Sequence, residues 1–247
     1  MELFYTSPEN ITLDAARLVI DGDEFHHLAR VLRKKTGDLI LVTDGNGSRC
    51  EVRIVDIGKK SLEGEILDHS VVERPNTGVT VAISLLKAPQ RFELFLEKAT
   101  ELGVSTIIPM ITARTVSQPT RDRVQGRLGR WRTIVLSAAR QSKRYYLPQL
   151  GEPLSFRQVI ALQGYDLKLI PYEISDEAPE VQCAGKNTLF LIGGEGGFSE
   201  KEVEEAKTAG FREISFGKTI LRAETAGIFA VAFVRTQLLS VKASEWF

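Results

Sequence analysis

The sequence predicts an α/β protein in two parts. Residues 1–72 form a small β-barrel-like domain, and residues 73–247 a larger domain on a mainly parallel sheet. Three observations predict this. Residues 38–68 alternate apolar and polar side chains between turn signals, as half-buried strands do. From Val79 the apolar runs become continuous and alternate with amphipathic stretches, the pattern of strands buried on both faces and of the helices covering them. Two late strands then run straight into short loops rich in glycine or charge.

The elements follow in order. Asp23–Arg33 reads as a short helix with an apolar stripe at Phe25, Leu28 and Leu32. Asp38–Thr43 is a strand, and Asp44-Gly45-Asn46-Gly47 is a hairpin signal. Ser48–Ile57 alternates at Cys50, Val52 and Ile54, and Ser61–Asp68 at Leu62, Gly64 and Ile66. Residues 71–78 are a linker. Beyond it come strand Val79–Leu86, helix Arg91–Leu102 stopped by Gly103, strand Thr106–Met110, helix Asp122–Arg144 and helix Ser155–Leu162. Strands Leu167–Ile170 and Thr188–Ile192 precede a helix capped by Ser199 and running to Ala209, with Glu200 and Glu202 in its first turn. Arg212–Phe216 is the last strand and Glu224–Ser240 the last helix.

Composition excludes several classes. No apolar run approaches the ~18 residues of a membrane span. The start, Met1-Glu2-Leu3-Phe4, lacks a secretory signal pattern. Cys50 and Cys183 stand far apart, outside any C-x-x-C, as expected of buried thiols in a reducing cytoplasm. His26 and His27 are adjacent and point different ways on a helix, so no metal site is expected. The formal net charge of zero hides a cancellation among three segments: residues 1–74 carry −4, 75–150 carry +8, and 151–247 carry −4. A polyanionic partner therefore stays open.

Candidate ligand residues lie on the loops. Leu189-Phe190-Leu191-Ile192 runs into Gly193-Gly194-Glu195-Gly196-Gly197-Phe198 and then a helix, an arrangement that lets backbone approach a nucleotide-like ligand. A dinucleotide fingerprint fails, because its third glycine is missing and because that motif opens a domain rather than closing one. A P-loop fails for want of Gly-Lys-Ser/Thr. A second loop, Phe216–Ala226, packs Arg222, Glu224 and Thr225 just before the apolar helix, and a third, Leu169–Glu173, would join them at the same sheet edge.

These residues carry a family resemblance. Leu191–Ser199 with Glu202 resembles an "IGPEGG-fs-x-x-E" signature, and Ile220–Ala226 an "ILR-x-ETA" signature. Lys98–Val104, Pro109, Trp131 and Ala138–Arg144 add matches, as do His26-His27-Leu28 and Val31-Leu32-Arg33 near the start. Together they resemble ribosomal RNA small subunit methyltransferase E, a family of the SPOUT (trefoil-knot) methyltransferases, over nearly the whole chain. Two positions depart from the pattern: Gly194 stands where the family has proline, and Glu2-Leu3-Phe4-Tyr5 lacks an arginine before its aromatic pair.

The resemblance implies a PUA-like RNA-binding barrel followed by a SPOUT domain with a C-terminal knot that holds S-adenosyl-L-methionine. It implies a homodimer acting in the cytoplasm on 16S rRNA of the small ribosomal subunit, methylating N3 of one uridine. Another SPOUT RNA methyltransferase, for instance a ribose 2′-O enzyme, and a non-catalytic RNA-binding assembly factor are the alternatives. On the leading reading, Arg222 stabilises the developing uridine anion, and Glu224 holds Arg222 or accepts the N3 proton. A structural alternative makes these two a fixed ion pair. The cofactor residues would be Leu169, Ile170, Pro171, Ile192, Gly193, Gly194, Glu195, Gly196, Phe216, Gly217, Leu221, Arg222, Thr225 and Ala226.

RNA phosphates would meet the basic block. Thr112–Tyr146 holds nine basic residues and one acid, Asp122, so pairing inside the segment cannot neutralise it. Arg123, Arg127 and Arg130 fall on one helix face. The expected RNA-binding residues are Arg30, Arg33 and Lys34 of the first domain, with Lys87, Arg114, Arg123, Arg127, Arg140, Gln141 and Arg144 of the second.

Overall fold

The computed structural model describes residues 1–115, 121–172 and 181–239, with the backbone alone over 121–125. The chain divides into two compact units, the first made of Met1–Arg74 together with Ala139–Leu147, the second of the remaining described residues.

In the first unit β1 (Leu3–Tyr5), β2 (Ile11–Thr12), β3 (Arg17–Asp21), β4 (Leu39–Thr43), β5 (Ser48–Ile57) and β6 (Ser61–Val71) form one sheet in the order β1-β4-β5-β6-β3-β2. All pairings are antiparallel except β1 with β4. The period-2 pattern of β5 works as expected: Cys50, Val52 and Ile54 are buried and join Phe4, Leu18, Ile20, Ile40 and Leu62 in one core. Burial pushes the Cys50 thiol up to about 11, as suits an unreactive core cysteine. The helix expected over 23–33 is instead α1 (Gly22–His26) followed by a π-helical turn, His27–Val31. Leu32 N–H bonds back to His27 O, and Arg33, at φ 53°, ends the run in the left-handed region. Phe25 and Leu28 still reach the core.

The second unit is built on β7 (Gly78–Ser84), β8 (Thr106–Ile111), β9 (Gln149–Leu150), β10 (Leu154–Ser155), β11 (Leu167–Pro171), β12 (Asn187–Ile192) and β13 (Arg212–Ile214). The sheet runs β10-β8-β7-β12-β11-β13, with β9 also beside β8, and every pairing is parallel. Its helices are α2 (Pro89–Leu102), α3 (Arg121–Gln141), α4 (Phe156–Ile160), α5 (Glu200–Thr208) and α6 (Ala223–Leu239). Successive strand residues point to opposite faces, which explains the continuous apolar runs. Val81, Ile83, Phe190 and Ile192 join a core with Phe92, Phe95 and Leu96 of α2, Trp131 and Val135 of α3, and Val231 and Val234 of α6. Ala82, Met110, Leu189 and Leu191 join another with Val159 of α4 and Val203 and Ala206 of α5. Both Ser155 and Ser199 make capping boxes, with Gln158 and Glu202 respectively.

Helix α3 stops at Gln141, short of the expected Arg144. Lys143 lies at φ 53°, with its N–H on Arg140 O and that of Arg144 on Ala139 O, a Schellman closure. The chain after it closes on the first unit. Gly47 N–H bonds to Tyr145 O at 2.9 Å, Leu147 N–H to Gly45 O at 2.9 Å, and Tyr146 O–H to Val72 O at 2.9 Å. Arg140 pairs at 2.8 Å with Glu24, whose carboxyl is raised above the usual range by burial, against the lowering effect of Arg140.

Candidate functional site

The carboxyl edge of the parallel sheet gathers the ends of β11, β12 and β13. There the chain encloses a pocket of about 370 Å³ lined by Pro171, Tyr172, Ile192, the whole Gly193–Phe198 loop, Phe216, Gly217, the segment Thr219–Ala223, Ala226 and Arg91. The expected residues Pro171, Ile192, Gly193, Gly194, Glu195, Gly196, Phe216, Gly217, Leu221, Arg222 and Ala226 thus come together. Leu169 and Ile170 are not among the liners: one step further inside the strand, they point to opposite faces of the sheet and are buried in its two cores. Thr225, on the first turn of α6, is exposed and also does not line the pocket. Glu173 lies outside the described residues.

The glycine loop is a tight turn, with Gly197 N–H bonded to Gly194 O at 3.0 Å, and three neighbours hold it. Lys87 N–H donates to Glu195 Oε1 at 3.0 Å, so Glu195 does not cap the following helix. Arg114 Nη1 donates to Gly196 O at 2.7 Å, and a Cβ on Gly196 would come within 3.2 Å of the Arg114 stem. Below Gly194 lies Ser84, whose buried hydroxyl meets those of Thr115 at 2.9 Å and Thr112 at 3.3 Å; a Cβ on Gly194 would stand 3.0 Å from Ser84 Oγ. Glu202 accepts Ser199 N–H at 2.9 Å and Ala113 N–H at 2.8 Å, tying the turn after β8 to α5. The Thr112–Thr115 turn is a structural part of the site that the sequence reading missed. Its signal was the Thr-x-x-Thr spacing directly after a strand.

The predicted pair Arg222–Glu224 is not formed. Glu224 is buried and pairs with Arg91, Oε1 to Nε 3.7 Å, and it does not line the pocket. Arg222 is exposed on the pocket rim. Helix geometry accounts for this: Glu224 lies in the first turn of α6, which packs on α2, the helix carrying Arg91.

The basic segment also acquires acids from distant sequence. Arg130 makes a two-pronged bond to Glu93 of α2, Nη2 to Oε2 2.8 Å, and Arg140 is held by Glu24. Lys34 pairs with Glu2 at 3.0 Å. Arg30, Arg33, Lys87, Arg114 and Gln141 are exposed, while Arg127 and Arg144 are half-buried. The Arg123 side chain lies outside the described residues. Among the described residues, no cluster of His, Cys, Asp or Glu could hold a metal ion, and no helix is long and apolar enough to cross a membrane.

Comparison with known proteins gives the family. The description "RNA methyltransferase domain" matches residues 73–235, and "RNA methyltransferase PUA domain" matches residues 20–67. A Synechocystis protein named ribosomal RNA small subunit methyltransferase E is 32% identical over 243 residues, 95% of this chain and 77% of that protein. The chain belongs to the ribosomal RNA small subunit methyltransferase E family. A crystal structure of the methyltransferase E of Neisseria gonorrhoeae, bound to S-adenosylmethionine, superposes with a TM-score of 0.84 at 29% identity, covering 96% of this chain and 97% of that one. A Legionella pneumophila methyltransferase in complex with S-adenosylmethionine gives a TM-score of 0.86 at 26% identity, covering 95% and 96%.

The pocket of this methyltransferase E family member fits such a cofactor chemically. Its volume lies within the ~300–1,000 Å³ of small-molecule sites. Ile192, Phe216 and Leu221 supply apolar surface for an adenine, the glycine loop offers backbone groups, and Arg91 and Glu195 are charged groups for a zwitterionic end.

Proposed function

We propose that this chain uses S-adenosylmethionine to methylate N3 of a specific uridine in 16S rRNA of the small ribosomal subunit. The observation that carries the reading is the pocket itself: the glycine loop and the Phe216–Ala223 loop close on one cavity, with Arg222 on its rim, in a chain of the methyltransferase E family. The cofactor supplies an electrophilic methyl group carried on a sulfonium. Uridine N3 must lose its proton as it reacts, so negative charge develops on the base. Arg222, exposed on the rim, is placed to stabilise that charge through its guanidinium. Backbone groups of Ile192–Gly197 hold the adenosine part, and Pro171, Phe216 and Leu221 exclude water from it. Glu224 acts through Arg91 rather than through Arg222.

Three further features belong to this reading. The second unit carries the family's trefoil knot, in keeping with β12 lying between β7 and β11 while β13 lies outside. The working form is a homodimer, supported by α6, which is apolar on nearly all sides yet leaves Phe229 and Leu239 exposed, and by Ile220, 81% exposed on the pocket loop. The site of action is the cytoplasm, where ribosomes are assembled. The basic residues Arg114 and Arg127, with Arg30 and Arg33 of the first unit, meet RNA phosphates.

The test is incubation with label-bearing S-adenosylmethionine and either small subunits or naked 16S rRNA, followed by mapping. Label on a single uridine is expected. Label scattered over many nucleotides, or none, would overturn the reading.

A further inference from the structure

Arg91 lies outside the glycine-loop and Phe216–Ala226 motifs, yet it lines the pocket from the first turn of α2. A cation there opposes the positive end of the helix dipole, and no acid lies in that turn to offset it. The offset comes from Glu224, whose side chain is 8% exposed and engages the Nε edge of Arg91. Arg91 lines the cavity, and its nearest approach to Glu224 is through Nε, so its two terminal nitrogens, the flat fork that suits a carboxylate, have no hydrogen-bond partner among the described residues. Of the other charged liners, Glu195 repels a carboxylate and is already bonded to Lys87 N–H, and Arg222 sits on the exposed rim where the base must arrive.

Charge balance favours the same assignment. A bare arginine beside a sulfonium would repel the cofactor. The Arg91–Glu224 pair is neutral in sum, so it can orient an anionic group without adding net positive charge.

We propose that Arg91 receives the carboxylate of the cofactor's amino-acid end, with Glu224 as the positioning residue that fixes the guanidinium. This rests on the reading of the pocket as the S-adenosylmethionine site.

The experiment is calorimetric titration with S-adenosylmethionine and with decarboxylated S-adenosylmethionine, which lacks only the carboxylate. Wild type should prefer the intact cofactor by on the order of 10- to 100-fold, as for a hydrogen-bonded charge pair. Arg91→Gln should collapse that preference to near unity while leaving affinity for the decarboxylated compound almost unchanged, and Arg91→Lys should restore it in part. Circular dichroism checks the fold of each variant. Equal loss for both compounds, or undiminished preference in Arg91→Gln, would overturn the assignment. Ala226→Trp, which fills the pocket, separates the two levels. If it abolishes binding while Arg91→Gln keeps the preference, only the role of Arg91 fails. If it leaves S-adenosylmethionine affinity intact, the pocket reading fails and this proposal with it.

Discussion

The guanidinium of Arg114 donates to the carbonyl oxygen of Gly196 at 2.7 Å, joining an exposed arginine of the basic segment to the loop that lines the pocket. One residue therefore stands between the surface proposed for RNA and the loop proposed for the cofactor. Arg114→Ala should weaken S-adenosylmethionine binding roughly tenfold, the scale of one charge-assisted hydrogen bond. It should also reduce the salt slope of RNA binding by about one. Titrations with cofactor, and with an rRNA fragment at several salt concentrations, read both effects. Arg114→Lys should keep the salt slope and lose part of the cofactor affinity, because a lysine keeps the charge without the guanidinium's geometry.

Gly196 and Gly193 should respond differently to a side chain. On Gly196 a Cβ meets the Arg114 side chain, its Cβ at 3.2 Å and its Cδ at 3.4 Å; on Gly193 it meets the backbone of Gly197 at 3.1 Å. Gly196→Ala should lower cofactor affinity by a few-fold with an unchanged melting temperature. Gly193→Ala should lower both, by about 1–3 kcal/mol in stability. Equal effects at the two positions would count against this geometry.

Arg222→Ala should leave cofactor affinity near that of wild type and reduce the rate of methyl transfer by about 10²–10³-fold, the usual effect of removing one group that stabilises transition-state charge. Single-turnover rates with saturating RNA are the appropriate measurement. Near-normal turnover would show that Arg222 only shapes the loop.

Glu24 sets a pH dependence in the first unit. Burial raises its carboxyl above the ordinary 4.5, with Arg140 pulling the other way. The folded state therefore holds the proton to higher pH than the unfolded chain. The resulting stability is fully present below pH 4.5 and is lost as pH rises through the raised folded value. His27 acts in the opposite sense. Burial lowers its value below 6.5, so its contribution is lost as pH falls through the region below 6.5. Glu24→Gln keeps an acceptor for Arg140 and should remove only the first slope. Denaturant unfolding of both proteins between pH 4 and 7 (a range of about three units around these values) would show it as a flatter difference curve.

Much of this fold was legible because periodicity is local. The alternation at Cys50, Val52 and Ile54 and the unbroken run Leu189–Ile192 report burial directly, and the capping residues Ser155 and Ser199 each mark a helix start. β1, β2 and β3 were not legible, since strands of two to five residues are too short for a period to emerge. The closure of Ala139–Leu147 on the first unit was hidden for another reason. It depends on pairings such as Tyr145 with Gly47, which no local pattern encodes. The loops that line the pocket stand out in the sequence as a group, because glycine and charge cluster there. The partner of Glu224 does not, because the nearest arginine in sequence, Arg222, is not the nearest in space. The same holds for Arg130 and Arg140, whose acids, Glu93 and Glu24, lie 37 and 116 residues away.

The most direct test of the central claim is nucleoside mass spectrometry of 16S rRNA after reaction with the wild-type protein and S-adenosylmethionine. One added methyl group is expected, carried on the base of a uridine as 3-methyluridine and formed about 10²–10³-fold more slowly when Arg222 is alanine. A methyl group on ribose, or an unmodified rRNA despite tight cofactor binding, would contradict it.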